Sequence, residues 1–205
     1  MTRQMKRQLR SPVRKRVDAV VLGASAGGID ALSVLLEDLP ASWHIPMAVV
    51  LHLPEEHESR LAEIFAQRLP IPVHEANDKM PFAPGCLYFA PPGYHLSIER
   101  ERSFSLSCEP PVLFSRPSID LLMGSAADVY GSALAGFLLT GANEDGAEGL
   151  HRIHLAGGLT AVQEPEEAQI PTMPQAAIAR NLPDYVLPLR DLRALLLQLE
   201  AVHEH

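Results

Sequence analysis

A three-layer α/β sandwich with a mostly parallel sheet and an added antiparallel hairpin is the fold this sequence predicts, on three observations. Short, nearly continuous apolar runs alternate along the chain with segments of helical periodicity, the signature of parallel strands joined by crossover helices. The first of these units, residues 17–32 (VDAVVLGASAGGIDAL), passes from strand to helix through a glycine-rich turn. The middle third is broken by Pro81, Pro84, Gly85, Pro91, Pro92 and Gly93 into short alternating segments, which read as a hairpin rather than as more crossovers.

Each element has its own warrant. The β-branched run 17–22 stops at Gly23, and Ile29, Leu32, Leu35, Leu36 and Leu39 then fall on one helical side until Pro40. Residues 45–53 form a second buried strand ending at His52-Leu53-Pro54. The acidic stretch 55–58 leads into a helix with Leu61, Ile64, Phe65 and Leu69 inward. A short strand is expected at 73–75 and another at 87–90, and 96–99 with 103–108 form the hairpin around Arg100-Glu101-Arg102. Ser118 is a fair N-cap for a helix whose apolar stripe is Ile119, Leu122, Met123, Ala126 and Val129. A buried strand at 133–139, helix at 147–156, strand at 159–162, helix at 173–180, strand at 185–187 and helix at 191–202 complete the chain.

Composition narrows the function classes. The 205 residues are 47% hydrophobic and 20% charged, as in globular domains. Net charge is −8, yet residues 1–16 hold seven of the 17 Lys and Arg and no acid, so residues 17–205 carry ten basic against 25 acidic residues, −15. We therefore expect a basic, disordered leader over 1–16 and one domain over 17–205. An acidic body gives no support for nucleic-acid binding, and no apolar run reaches the ~18 residues of a membrane span. Cys86 and Cys108 lack metal or redox spacing, so reduced structural thiols in a cytoplasmic protein are expected. His151 and His154 lie at i, i+3 without a third ligand, and the remaining histidines fall mostly in loops or on solvated faces; neither a metal nor a cofactor is expected.

In open α/β sheets, ligands bind beyond the carboxyl ends of the strands. Three reactive residue types stand there. Ser25 lies at the apex of Gly23-x-Ser25-x-Gly27, the G-x-S-x-G pattern of a nucleophile elbow, with His52 at the end of the second strand and Asp145 in a glycine-bracketed loop after the strand at 133–139. Together they are the parts of a nucleophile–base–orienter triad, in an order that differs from the Ser, Asp, His of α/β-hydrolases. Each also has a purely structural alternative: Ser25 as a helix N-cap, His52 as a hydrogen-bonded core histidine, Asp145 as the cap of the helix starting at Ala147. Only their coincidence at one sheet edge favours chemistry.

The residues also resemble a known family. Gly23-Ala24-Ser25-Ala26-Gly27-Gly28, His52-x-Pro54, Gly85-x-x-Tyr88-x-Ala90-Pro91, His95-Leu96, Arg116-Pro117-Ser118-Ile119-Asp120, Leu139-Thr140-Gly141, Asp145-Gly146-Ala147-x-Gly149 and Met173-Pro174 run in the order of the catalytic domain of the chemotaxis protein-glutamate methylesterases, the CheB family. The resemblance implies a Rossmann-like fold and a serine hydrolase that removes methyl esters from γ-glutamyl groups of bacterial chemoreceptors, with deamidation of glutamines in some members. It places the family triad on Ser25, His52 and Asp145, puts Ala26 and Ala142 at oxyanion or site-lining positions, and suggests Arg116 as a substrate-orienting group. The implied partner is the cytoplasmic domain of methyl-accepting receptors.

Three positions depart from the family pattern: Ala26 replaces the usual Thr, Ala142 the usual Met, and Asn143-Glu144 a more usual Gly-Asn. The sixteen-residue leader is too short for the receiver domain that gates many relatives, so constitutive activity, or control by a separate regulatory protein, is the expectation. Two other readings stay open. A dinucleotide-binding enzyme would need glycine where Ser25 stands and an acid where His52-Leu53 stands. A catalytically weak scaffold that binds receptor tails is compatible with the changes at Ala26 and Ala142.

Overall fold

In the computed structural model, residues 15–52 and 59–203 are described. The acidic lead-in expected at 55–58, and all of the leader except Lys15 and Arg16, lie outside them. The elements follow the order β1 (Ala19–Ala24), α1 (Gly28–Leu35), β2 (Met47–Leu51), α2 (Leu61–Ala66), β3 (Val73–Glu75), β4 (Leu87–Phe89), β5 (His95–Ile98), β6 (Phe104–Ser107) and α3 (Ile119–Tyr130), then β7 (Leu134–Leu138), α4 (Ala147–Leu155), β8 (Leu159–Gln163), α5 (Thr172–Arg180), β9 (Tyr185–Leu187) and α6 (Leu189–His203).

Seven strands form one sheet in the order β3-β4-β2-β1-β7-β8-β9, every pair of them parallel. Burial on both faces explains why these strands are apolar throughout. Val20, Leu22 and Ala24 of β1 join a core with Leu32 and Leu35 of α1, Phe65 of α2 and Leu192, Leu195 and Leu199 of α6. Ala19 and Val21 point the other way, toward Leu122 and Met123 of α3, Leu150 and Ile153 of α4, and Met173 and Ala177 of α5. The expected hairpin is present as β5 and β6, antiparallel and separate from the main sheet, its Leu96, Ile98 and Phe104 buried in this second core.

From β1 the chain builds outward through β2 to one side, then returns beside β1 as β7 and builds to the other. β2, β1 and β7 are therefore adjacent, and their carboxyl ends meet where the winding reverses, the position at which such sheets bind ligands.

Several expectations need correction. α1 stops at Leu35 instead of continuing to Leu39, and Asp38 turns the chain with φ 61. Its inner face is Gly28, Ala31, Leu32 and Leu35, so Ile29 is 40% exposed. The cause is close packing: a Cβ on Gly28 would stand 2.4 Å from Leu51 Cδ1 and 2.8 Å from Ala24 Cβ, so the glycine itself faces the sheet. Ile64 is exposed because the six-residue α2 buries only a narrow face, Leu61 and Phe65. Cys108 is exposed, hence not a packing residue, and Cys86 is half-buried. His95, grouped above with the loop and surface histidines, is 1% exposed.

Candidate active site

The turn after β1 is built by glycine. Gly27 is the N-cap of α1 with φ 78, a left-handed conformation that suits glycine, and a Cβ there would meet Gln169 Oε1 at 2.4 Å. Ser25 is therefore not the helix cap. Its N–H donates to Thr140 O (2.9 Å) and its carbonyl accepts from Gly28 N (2.8 Å), which fixes the backbone of the turn. Among the described residues no hydrogen-bond partner takes up its hydroxyl. Gly141 allows β7's extension to pass close by, since a Cβ at that position would lie 3.0 Å from Ser25 Cβ and 2.5 Å from Met173 Cε. Thr140 Oγ1 donates to Ala26 O (2.9 Å), a second brace on the turn.

Ser25, Ala26, Gly27, Gly28, Ile29, Asp30, Leu51, His52 and Gln169 line a cleft of about 450 Å³. The first turn of α1 opens onto it, and the N–H groups of a first helical turn have no partner within their helix. With Gly28 N already donating to Ser25 O, the Ile29 and Asp30 N–H groups and the dipole are what this end of the helix offers a developing oxyanion.

His52 follows β2 and is only 11% exposed in its side chain; its backbone N–H donates to Ala24 O (3.1 Å). Nε2 donates to Asp145 Oδ2 at 2.8 Å, which leaves Nδ1 as the acceptor nitrogen, and Ser115 Oγ lies 3.3 Å from it. Asp145 caps no part of its own helix: Gly146, with φ 99, is the N-cap of α4. The fully buried carboxylate instead accepts from Ile119 N (2.7 Å), Asp120 N (3.0 Å) and Ser118 Oγ (2.9 Å) at the start of α3. Burial alone would push its pKa up, but the hydrogen bonds from His52 and from the Asp120 and Ile119 amides outweigh it and hold the carboxyl below its ordinary value. Asp145 is thus an anion at neutral pH, acceptor-only, and it sets the His52 tautomer.

Sequence reasoning missed the residues behind these. Asp120 returns the favour across the helix pair, its Oδ1 accepting from Gly146 N (2.9 Å) and Gly149 N (2.7 Å) of α4. Burial, with the Asp145 charge nearby, pushes Asp120 up to about 6 against the Gly149 amide bond. His95 Nε2 donates to Pro110 O and its Nδ1 accepts from Ser118 N, joining the hairpin to the start of α3. Asn143 Oδ1 accepts from Asp145 N (3.2 Å), while Nδ2 donates to Ser115 Oγ (3.1 Å). The Asn at this departure from the family pattern thereby connects the Asp145 loop to the His52 side of the cleft. Asp120 and His95 did stand inside the recognised motifs; nothing in the sequence marked Ser115.

The other site candidates divide. Ala26 lines the cleft, Ala142 is exposed beside it in the loop leading to Asp145, and Glu144 is exposed there too. Arg116 Nη1 donates to the Cys108 and Glu109 carbonyls (3.2 and 3.3 Å), so its guanidinium braces the strand end after β6. Among the described residues no three His, Cys, Asp or Glu side chains cluster to hold a metal ion, and none of the described helices is long and apolar enough to cross a membrane.

Asp120 supplies a pH test. A folded-state pKa near 6, above the ordinary 3.8, means that this group's stabilising contribution is complete below 3.8 and is lost as pH rises through about 6. Urea midpoints of the wild type and Asp120→Asn, compared from pH 7 to pH 4.5, are expected to diverge in favour of the wild type on acidification. A difference independent of pH would show that Asp120 does not titrate in this range.

The chain has relatives both in sequence and among solved structures. Residues 20–196 match the family model described as CheB methylesterase. A Leptospira interrogans protein, bearing a provisional name of protein-glutamate methylesterase/protein-glutamine glutaminase, is 43% identical over 183 residues, covering 89% of this chain and 95% of that one. Protein-glutamate methylesterase/protein-glutamine glutaminase 1 of Anaeromyxobacter dehalogenans is 41% identical over 181 residues, 87% of this chain but 52% of its own length. Among solved structures, the Thermotoga maritima CheB methylesterase catalytic domain superposes with a TM-score of 0.83 at 29% identity, over 90% of this chain and 98% of that one.

Proposed function

We propose that this chain, which belongs to the CheB methylesterase family, is a cytoplasmic serine hydrolase that demethylates γ-glutamyl methyl esters on chemoreceptors, with Ser25, His52 and Asp145 as its catalytic residues. The observation that carries the reading is the 2.8 Å hydrogen bond to buried Asp145 from His52, which lines one cleft with Ser25. A histidine so held by its Nε2 offers its Nδ1 lone pair as a general base.

In the reaction the ester carbonyl sits over the glycine turn. Ser25 Oγ attacks the carbonyl carbon as its proton passes to His52 Nδ1, displacing the long 3.3 Å contact with Ser115. Negative charge on the carbonyl oxygen is held by first-turn N–H groups of α1, where loss of one donor costs roughly 10²–10³ in rate. His52 returns the proton to the departing methoxide, and methanol leaves. Water then attacks the acyl-enzyme with His52 again as base, giving the glutamate carboxylate and free Ser25. A glutamine side chain in the same pose would release ammonia.

Ala26 and Ala142 leave smaller side chains at the rim than the family's usual Thr and Met, which bears on substrate preference rather than on the proton path. The nearly full-length match to the Leptospira protein, against about half the length of the Anaeromyxobacter one, supports the domain from residue 17 onward as the catalytic unit. Incubation with a fluorophosphonate, followed by mass spectrometry of the digest, is expected to place one adduct on Ser25, and methylated receptor is expected to release methanol. A folded protein with neither adduct nor methanol would favour the non-catalytic scaffold.

A further inference from the structure

The segment between the hairpin and α3 carries a feature that catalysis leaves unexplained. Val112 and Ser115 exchange both backbone hydrogen bonds, Val112 N to Ser115 O (3.1 Å) and Ser115 N to Val112 O (2.8 Å), closing a two-residue turn. Its central residues, Leu113 and Phe114, have φ 48 and 64. Positive φ at both positions belongs to the type I′ turn, where Asn and Gly are preferred and bulky side chains are disfavoured. Phe114 is also 103% exposed, the most exposed large apolar residue among those described, and Leu113 beside it is 37% exposed.

Folding alone explains neither choice. Asn-Gly would relieve the backbone and keep the ring out of water. The position explains both. Phe114 precedes Ser115, whose Oγ is 3.3 Å from His52 Nδ1, so its Cα stands about 3.8 Å along the chain from a residue touching the general base. Asn143 Nδ2 donates to both Leu113 O (3.4 Å) and Ser115 Oγ, tying the turn to the loop that carries Asp145. Ile29, exposed and lining the cleft with Ser25 and His52, supplies a further apolar surface at the site.

We propose that Phe114, presented by this turn, is a docking residue for the protein substrate, seating an apolar side chain that flanks the methylated glutamyl group. This rests on the esterase reading and names how that site holds a protein rather than a small ester. A rigid aromatic projected from a braced turn loses little entropy on burial, and such residues dominate binding where they are desolvated at the centre of an interface. The occupant is the substrate protein because the turn that carries Phe114 also carries Ser115, whose Oγ contacts His52 in the lining of the cleft the ester must enter.

The test compares Phe114→Asn, Phe114→Trp and, as control, Leu155→Ala, whose exposed side chain lies at the far end of α4. Substrates are a methylated chemoreceptor cytoplasmic fragment and N-acetylglutamate γ-methyl ester. Asn suits positive φ, so Phe114→Asn is expected to raise Tm by about 2–4 °C. It is nevertheless expected to raise KM for the fragment roughly tenfold, with a much smaller change on the small ester. Phe114→Trp and Leu155→Ala should stay within about twofold of wild type on both. An unchanged fragment KM, or equal losses on both substrates, would overturn the docking role. So would a Phe114-dependent self-association seen by sedimentation without any effect on the fragment.

Binding of the fragment to Ser25→Ala, with and without Phe114→Asn, separates this idea from the esterase reading. Fragment held through Phe114 but never hydrolysed by the wild type sinks the esterase alone. Hydrolysis indifferent to Phe114 sinks the docking alone, and no binding sinks both.

Discussion

Ser25→Ala is expected to lower methanol release from methylated receptor by roughly 10⁴-fold or more while leaving the fold intact. The activity loss follows because no covalent intermediate forms without the hydroxyl, and the residual rate is what binding and oxyanion stabilisation supply. The intact fold follows from the structure: the Ser25 backbone, not its side chain, makes the bonds to Thr140 O and Gly28 N. Truncating a hydroxyl with no partner among the described residues strands no buried donor, so stability should change by no more than about 0.5 kcal/mol. The measurement is methanol release beside a thermal melt. Activity within tenfold of wild type would remove Ser25 from the mechanism. Because Ser115 Oγ is the hydroxyl in contact with His52 in the resting site, Ser115→Ala belongs in the same experiment; its loss of all adduct formation would reassign the nucleophile.

Asp145→Ala should damage both function and folding. Its carboxylate accepts four hydrogen bonds, from His52 Nε2, Ile119 N, Asp120 N and Ser118 Oγ, and its removal leaves those donors facing a buried void. Breaking a buried charged network in this way costs about 3–5 kcal/mol, a fall in Tm of roughly 6–20 °C for a chain of this size. Asp145→Asn fills the void, but its amide can accept at one atom only and turns a donor toward other donors, and His52 can adopt the wrong tautomer. A loss in kcat of roughly 10⁴-fold is expected for Asn.

The pH dependence has a definite sign. With its folded pKa depressed below 3.8, Asp145 contributes stability that is present above that value and lost as pH falls through the lower folded one. Because the Asp145 charge helps to raise Asp120, the stability gap between wild type and Asp145→Ala should widen somewhat as pH falls through about 6, persist to about 4 and narrow below it. A gap that closes already near pH 6 would contradict the depressed pKa.

The strands were legible because burial on both faces makes them apolar without interruption, and β9 at Tyr185–Leu187 is found where the sequence places it. The helices were legible where periodicity was long, as in α3, whose Ser118 cap accepts from Leu121 N. The extent and inner face of α1 differ from the periodicity because Gly28 faces the sheet, and a glycine contributes nothing to a hydrophobic pattern. Periodicity places Ile29 inside, whereas in the fold it lines the cleft. The burial of His95 is not legible in the sequence because its partners, Pro110 O and Ser118 N, lie 15 and 23 residues away, and no local pattern records them.

By itself the sequence determined the class of fold, the strand ends at which Ser25, His52 and Asp145 stand, and the family, since periodicity, glycine turns and ordered motifs are local properties. Tertiary structure decided what those residues touch. Only the adjacency of β2, β1 and β7 puts His52 and Asp145, 93 positions apart, within a 2.8 Å hydrogen bond, and only the crossing of α3 and α4 lets Asp145 and Asp120 each receive amides of the other's helix. The turn that sets Phe114 in solvent and Ser115 against His52 belongs to the same level. Hydrogen-bond direction, burial and charge coupling depend on distances through space, and along this chain those distances are set by the winding of the sheet.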